Sequence, residues 1–188
     1  LKTGKRYKPV KFSAAVEFAA EKSIKYLEGT RVLGVIEGID PDLKKEYVII
    51  TAHYDHLGKS DEVIYYGADD NASGTAGVIE IARAFAEARK QGIGPKRSII
   101  CMLVSGEEKG LLGSKFYTEF PIFPLEKTVV NINIDMIGRV DKRHENQPDY
   151  IYVIGSDRMS QDLHDINEEM NAQYTKMALD YKYNDPND

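Results

Sequence analysis

Three apolar runs in this chain, over residues 47–52, 98–104 and 128–134, each lead directly into acidic or imidazole side chains. The first leads into His53-Tyr54-Asp55-His56, the second into Ser105-Gly106-Glu107-Glu108 and the third into Asp135-Met136. Apolar runs this short, bounded by polar turns, read as strands buried on both faces. Between the first and second runs the apolar period changes. Val78, Ile81, Ala82, Phe85 and Ala88 mark one face of a helix expected over residues 75–89, and Gly92-Ile93-Gly94-Pro95 stops it. Further helices are expected over 109–118 and 160–173, and a further strand over 150–154. Strands separated by helices imply an α/β fold with a mostly parallel mixed sheet and helices on both faces. Open sheets of this kind place ligands at the carboxyl ends of their strands, which is where the acidic groups stand.

Upstream, apolar residues alternate at Val10, Phe12, Ala14, Val16 and Phe18, a strand pattern in competition with a helical face through Val16, Ala20, Ile24 and Leu27. The strand reading is preferred, because another β-like run follows at 31–37. Residues 1–29 are therefore expected to be a strand-rich lead-in at the edge of an upstream domain, and residues 30–188 a single core. The composition, 42% hydrophobic and 29% charged, suits one globular core. A net charge of -5 argues against nucleic acid or anionic lipid as a partner. No apolar run approaches the roughly 20 residues of a membrane-spanning helix. The single Cys101 lies inside the second apolar run, where it serves as a small hydrophobe, and it excludes a disulfide framework.

The polar turn Gly67-Ala68-Asp69-Asp70-Asn71-Ala72-Ser73-Gly74 precedes the first helix, so His53, Asp55, Asp69, Asp70, Glu107, Glu108 and Asp135 are expected to crowd one rim of the sheet. Carboxylates packed together repel, so such a cleft holds protons or cations. One imidazole with an excess of carboxylates suits zinc or a similar divalent ion. Capping accounts for any one of these residues alone, but not for three successive strand ends that each deliver acid. His56 would join the ligands only if its loop curled back, and it is expected to be a loop or pocket residue. His144, in a polar stretch, is expected to be solvated, and His164 to lie on a helix surface. Asn71-Ala72-Ser73 matches a glycosylation sequon by chance. There is no His-Glu-x-x-His pair, and residues 106–114 lack the Lys-Ser/Thr ending of a phosphate-binding loop.

Four ordered motifs, His53-Tyr54-Asp55-His56-Leu57-Gly58, residues 67–74, residues 106–114 and Asn133-Ile134-Asp135-Met136-Ile137-Gly138, resemble those of the di-zinc aminopeptidases related to bacterial leucyl aminopeptidase. The wider clan also holds glutaminyl cyclases and glutamate carboxypeptidase, and the resemblance spans residues 32–157. It implies that Asp69 bridges two zinc ions, that His53 and Asp135 complete one site, and that Glu108 binds the other. Asp55 would fix the His53 tautomer, Glu107 would be the general base, and the Asp69–Asp70 peptide would be cis. The implied reaction is hydrolysis of the amino-terminal bond of a peptide or protein by a hydroxide shared between the metals, with the free amine held at one of them. Export to the periplasm or the extracellular space is the location the resemblance favours.

Relatives supply one further His downstream, and none follows His164. The expectation is a core lacking its carboxyl-terminal part, with at most one tightly bound zinc of the two in a complete domain and little activity. Two other classes stand beside this reading. One is a glutaminyl cyclase or carboxypeptidase of the same clan. The other is a non-catalytic relative such as transferrin receptor, in which the ligands retained by this chain have been lost.

Overall fold

In the computed structural model, which describes residues 11, 13–24, 26 and 28–184, the apolar runs assemble into one four-stranded sheet. Its strands are β1 (Val32–Ile36), β2 (Tyr47–His53), β5 (Ser98–Val104) and β6 (Thr128–Asn133), in the order β1-β5-β2-β6. Between β2 and β5 lie a hairpin of β3 (Gly58–Ser60) and β4 (Val63–Tyr65) and the helix α1 (Gly74–Lys90). Helix α2 (Leu112–Glu119) joins β5 to β6. A second unit follows, with β7 (Tyr150–Tyr152), α3 (Ser156–Met159), α4 (Gln161–Met170) and β8 (Ala178–Asp180), in which β7 and β8 pair in parallel. β2 is parallel to both β5 and β6, while β1 runs antiparallel on the outer edge of β5. The sheet is thus mixed and mainly parallel, and the carboxyl ends of β2, β5 and β6 share one rim.

Side-chain alternation divides the core between the two faces of this sheet. Ile50 and Ala52 of β2, with Ile99 and Cys101 of β5, pack under Val78 of α1, with Ile81 and Phe85 beside them. Ile49, Ile100, Met102 and Val104 face the other way, onto Tyr117 of α2 and Phe123. Ile100 and Val78 are almost wholly removed from water. Each such side chain contributes about 1.5–3 kcal/mol through burial, so the two central strands are fixed in register by their apolar content.

Away from that core the elements depart from the sequence pattern. Residues 13–24 form neither strand nor helix, and Val16 and Phe18 are exposed. Alternation yields a strand only where a neighbouring strand takes up the backbone hydrogen bonds, and none lies beside this segment among the described residues. Val10, Phe12 and Leu27 lie outside the described residues. The helix expected from 109 starts only at Leu112, because Gly110 (φ 101°) and Leu111 (φ 61°) hold left-handed conformations. Among the described residues, no helix is long and apolar enough to cross a membrane.

The expectation of a solvated His144 is overturned. Its ring is buried and stacks on Tyr150 with centroids 3.6 Å apart, while Nδ1 lies 2.9 Å from Asp141 and Nε2 lies 3.1 Å from Asp180. These contacts tie the loop after β6 to β8. The Asp141 carboxyl is held down to about 2, mainly by the hydroxyl that Tyr152 donates and then by His144. His164 is partly buried rather than free on a surface, with Nδ1 3.0 Å from the Ser156 hydroxyl.

Candidate metal centre

Because β2, β5 and β6 are parallel, His53, the turn at Glu107 and Glu108, and Asp135 arrive at the same rim. His53 is the last residue of β2 and is 2% exposed. Its Nδ1 donates to the backbone carbonyl of Asp55 at 3.0 Å, which leaves the Nε2 lone pair facing inward. Nε2 stands 3.2 Å from Asp70 Oδ1 and 3.4 Å from Asp135 Oδ2. The expected link between the Asp55 carboxylate and His53 is displaced by one group. The turn brings the Asp55 carbonyl closer, and its carboxylate, 3.7 Å from Nδ1, accepts the backbone N–H of Glu107 at 3.4 Å. Asp55 therefore joins the ends of β2 and β5.

The acidic turn before α1 reverses the expected parts of its two aspartates. Asp70, not Asp69, points between the strand ends, and the cis peptide is Asp70–Asn71 rather than Asp69–Asp70. The Asp69 carboxylate faces the loop after β6, where it accepts the N–H of Gly138 at 2.9 Å and lies 3.3 Å from Arg139 Nε. The physical cause is local: Asp69 is engaged by Gly138 and Ser73, so the next residue alone is left to face the rim.

Asn71 is the residue that sequence reasoning passed over. It is 1% exposed, donates to Ile134 O at 2.9 Å, and accepts from Gly74 N at 2.9 Å and Met136 N at 3.3 Å. One side chain thus joins the acidic turn, the start of α1 and the segment carrying Asp135. The glycine at 74 is required by this contact, since a Cβ there would meet Asn71 Oδ1 at 2.3 Å. Burial also removes Asn71 from any glycosylation role. Asn71→Ala strands three backbone groups at a cost of about 1–3 kcal/mol each when they stay dry. The expected loss is about 3 kcal/mol of unfolding free energy, read as a lower urea midpoint at unchanged slope; an unchanged midpoint would remove Asn71 from this role.

On the other side of Asp70, His56 Nδ1 lies 2.9 Å from Glu108 Oε1 and 3.9 Å from Asp70 Oδ1. Two groups of three potential ligand atoms result, His53–Asp70–Asp135 and His56–Asp70–Glu108, each with its atoms within 4.8 Å of one another. Asp70 belongs to both. Burial, reinforced by the Glu108, Asp135 and Asp70 carboxylates, pushes the Glu107 carboxyl above its ordinary value, against the pull of His53. Asp135 is raised in the same way, by burial and then by Asp70. Beside the groups opens a cavity of about 600 Å³, lined in part by His56, Asp70, Met136 and Arg139.

These residues fit divalent cations by their own chemistry. An inward imidazole lone pair against two carboxylates is repulsive unless a proton or cation lies between them, and neutral imidazole with carboxylate oxygens is a normal zinc donor set. His56 Nδ1 and Glu108 Oε1 are both buried and neither has a hydrogen-bond partner. Buried polar atoms are rarely left so.

The sequence pattern that defines peptidase family M28 matches residues 31–187. The chain is 36% identical over 124 residues to Aminopeptidase NAALADL1 of Mus musculus, covering 64% of this chain and 15% of that protein. It is 31% identical over 121 residues to a Vacuolar membrane protease of Verticillium alfalfae, covering 57% of this chain and 11% of that protein. It therefore spans only a small part of the length of these relatives. Among solved structures, LapB from Legionella pneumophila superposes with a TM-score of 0.60 at 23% identity, over 80% of this chain and 37% of that one. An aminopeptidase from Aneurinibacillus sp. strain AM-1 superposes with a TM-score of 0.56 at 22% identity, over 80% of this chain and 34% of that one.

Proposed function

Since the chain belongs to peptidase family M28, we propose that it forms the catalytic core of a zinc-dependent aminopeptidase that hydrolyses the amino-terminal bond of peptides. The observation that carries this reading is Asp70, whose carboxylate is common to two ligand groups, with Glu107 in the turn after β5 beside Glu108. Asp70 would bridge, His53 and Asp135 would hold one ion, and Glu108 would hold the second. Zinc held there would supply Lewis acidity toward a carbonyl oxygen and toward a water molecule.

The chain's own residues account for the rest. The Asp55 carbonyl keeps the proton of His53 on Nδ1, so that Nε2 remains a donor of electrons. Asp55 also fixes the backbone of Glu107, the residue that takes the proton of the attacking water and returns it to the leaving amine. Burial and neighbouring carboxylates raise the Glu107 carboxyl, so it takes up a proton more readily than a free carboxylate. Similarity to Aminopeptidase NAALADL1 supports an aminopeptidase over a carboxypeptidase of similar fold. The test is hydrolysis of leucyl anilide, of its amino-acetylated form and of an amino-terminal glutaminyl peptide, before and after chelation. Cleavage of the free-amine substrate alone, abolished by chelator and restored by zinc, is expected of the full-length protein, and little cleavage of residues 1–188 by themselves. Cyclisation of the glutaminyl peptide, or equal cleavage of the acetylated substrate, would overturn it.

A further inference from the structure

Resting on the aminopeptidase reading, we infer that Arg139 sets substrate preference by receiving a carboxylate of the substrate in the cavity beside the ligand groups. Arg139 lines that cavity of about 600 Å³ and is the one permanently charged cation among its lining residues. Its place is fixed by the acidic turn. Three successive backbone N–H groups of the loop after β6 are received by side chains of that turn. Met136 donates to Asn71 Oδ1 at 3.3 Å, Ile137 to Ser73 Oγ at 3.0 Å and Gly138 to Asp69 Oδ1 at 2.9 Å. Only glycine at 138 lets the two segments lie so close, since a Cβ there would stand 2.8 Å from the Ser73 Cβ and 3.1 Å from Asp69 Oδ1. The next residue is Arg139, which this docking brings to the cavity wall.

Only part of the guanidinium is then in use. Its Nε lies 3.3 Å from Asp69 Oδ2, and no hydrogen bond engages its terminal nitrogens among the described residues. Asp69 thus orients the group without filling its fork, and the Arg139 side chain is 69% exposed. A guanidinium presents paired N–H donors in one plane, the geometry that a carboxylate accepts two at a time. The other carboxylate at the cavity, Asp70, is turned toward His53 and His56 and does not compete for it. A carboxylate can come from the side chain of the substrate's first residue or from the far end of a short peptide. The first is expected, because that side chain leaves the same carbon as the amine, beside the carbonyl to be attacked at the ligand groups. The competing account makes Arg139 only the counter-charge of Asp69. Its loss would then loosen the loop that carries Asp135 and slow every substrate alike.

The test compares kcat/KM for glutamyl and glutaminyl anilides, which differ in charge but hardly in size, and for leucyl-glycine and leucyl-glycinamide. The proteins are the full-length chain with zinc and its Arg139→Gln and Arg139→Lys variants. Each ratio is taken within one protein, so a general loss of activity cancels. A glutamyl preference of about fivefold at low salt, the upper end for an exposed ion pair, is expected, narrowing as salt screens it. Arg139→Gln should remove that preference, and Arg139→Lys, with the charge but not the fork, should keep only part of it. A preference for leucyl-glycine alone, lost in Arg139→Gln, would support the same contact with the far carboxylate as its source. Ratios near one in both pairs, or ratios that Arg139→Gln leaves unchanged, would overturn the inference, while cleavage of leucyl anilide would leave the aminopeptidase standing. No cleavage of any free-amine substrate by the full-length protein would overturn that reading and this inference with it.

Discussion

Glu107→Gln should keep the full metal content of the protein and lower its turnover of leucyl anilide by about a hundredfold or more, the usual effect of removing a general base. A hundredfold is about 2.7 kcal/mol of transition-state stabilisation. The substitution isolates the proton-transfer step because little else changes. Gln matches Glu in size, and the bond from residue 107 to Asp55 uses the backbone N–H, which the variant retains. Glu107 belongs to neither group of potential ligand atoms among the described residues, so ion content has no reason to fall. Zinc by elemental analysis and turnover under identical conditions are the two readouts. Loss of zinc in step with activity would make Glu107 a ligand instead and would move the base elsewhere.

Much of the fold was legible because its two central strands, β2 and β5, are buried on both sides, whereas β6, expected to be buried likewise, lies at the sheet edge and is largely exposed. The Ser98–Val104 strand matches its apolar run at both ends, and β2 and β6 differ from theirs by one residue. Strand-end chemistry was legible for the same reason: once the runs are parallel, whatever follows them must meet at one rim. What could not be read depended on direction rather than position. Asp69 and Asp70 are identical neighbours, and only the backbone dihedrals decide which carboxylate faces the strands. His56 depends on a hairpin of two three-residue strands that are exposed throughout and too short for any hydrophobic period. Asn71 looked like one more turn residue, since nothing local announces that its three partners come from residues 74, 134 and 136. The lead-in failed in the opposite sense, with a period-two pattern that has no neighbouring strand to complete it among the described residues.

The exchange of parts between Asp69 and Asp70 carries the other large effect. Asp70 Oδ1 lies 3.2 Å from His53 Nε2 and 3.9 Å from His56 Nδ1, the only carboxylate oxygen within reach of both imidazoles among the described residues. Removing it takes one ligand from each group at once. Each group is then left with one imidazole and one carboxylate, and the two lose the shared negative charge that lets cations sit close together. Asp70→Ala should therefore leave nearly no bound zinc after dialysis, and abolish hydrolysis with it. Asp69→Asn should behave otherwise. Its carboxylate holds Gly138 and Arg139, so its loss loosens the loop after β6 and shifts Asp135 indirectly. Changes to groups that only orient a ligand typically cost about 10–100-fold in metal affinity, which tight sites withstand under dialysis. The expected order of zinc retention is the unaltered protein, then Asp69→Asn close behind it, then Asp70→Ala near zero. If Asp69→Asn emptied both sites while Asp70→Ala kept them, the bridging position would return to Asp69, and Asp70 would not be the carboxylate that the two ions share.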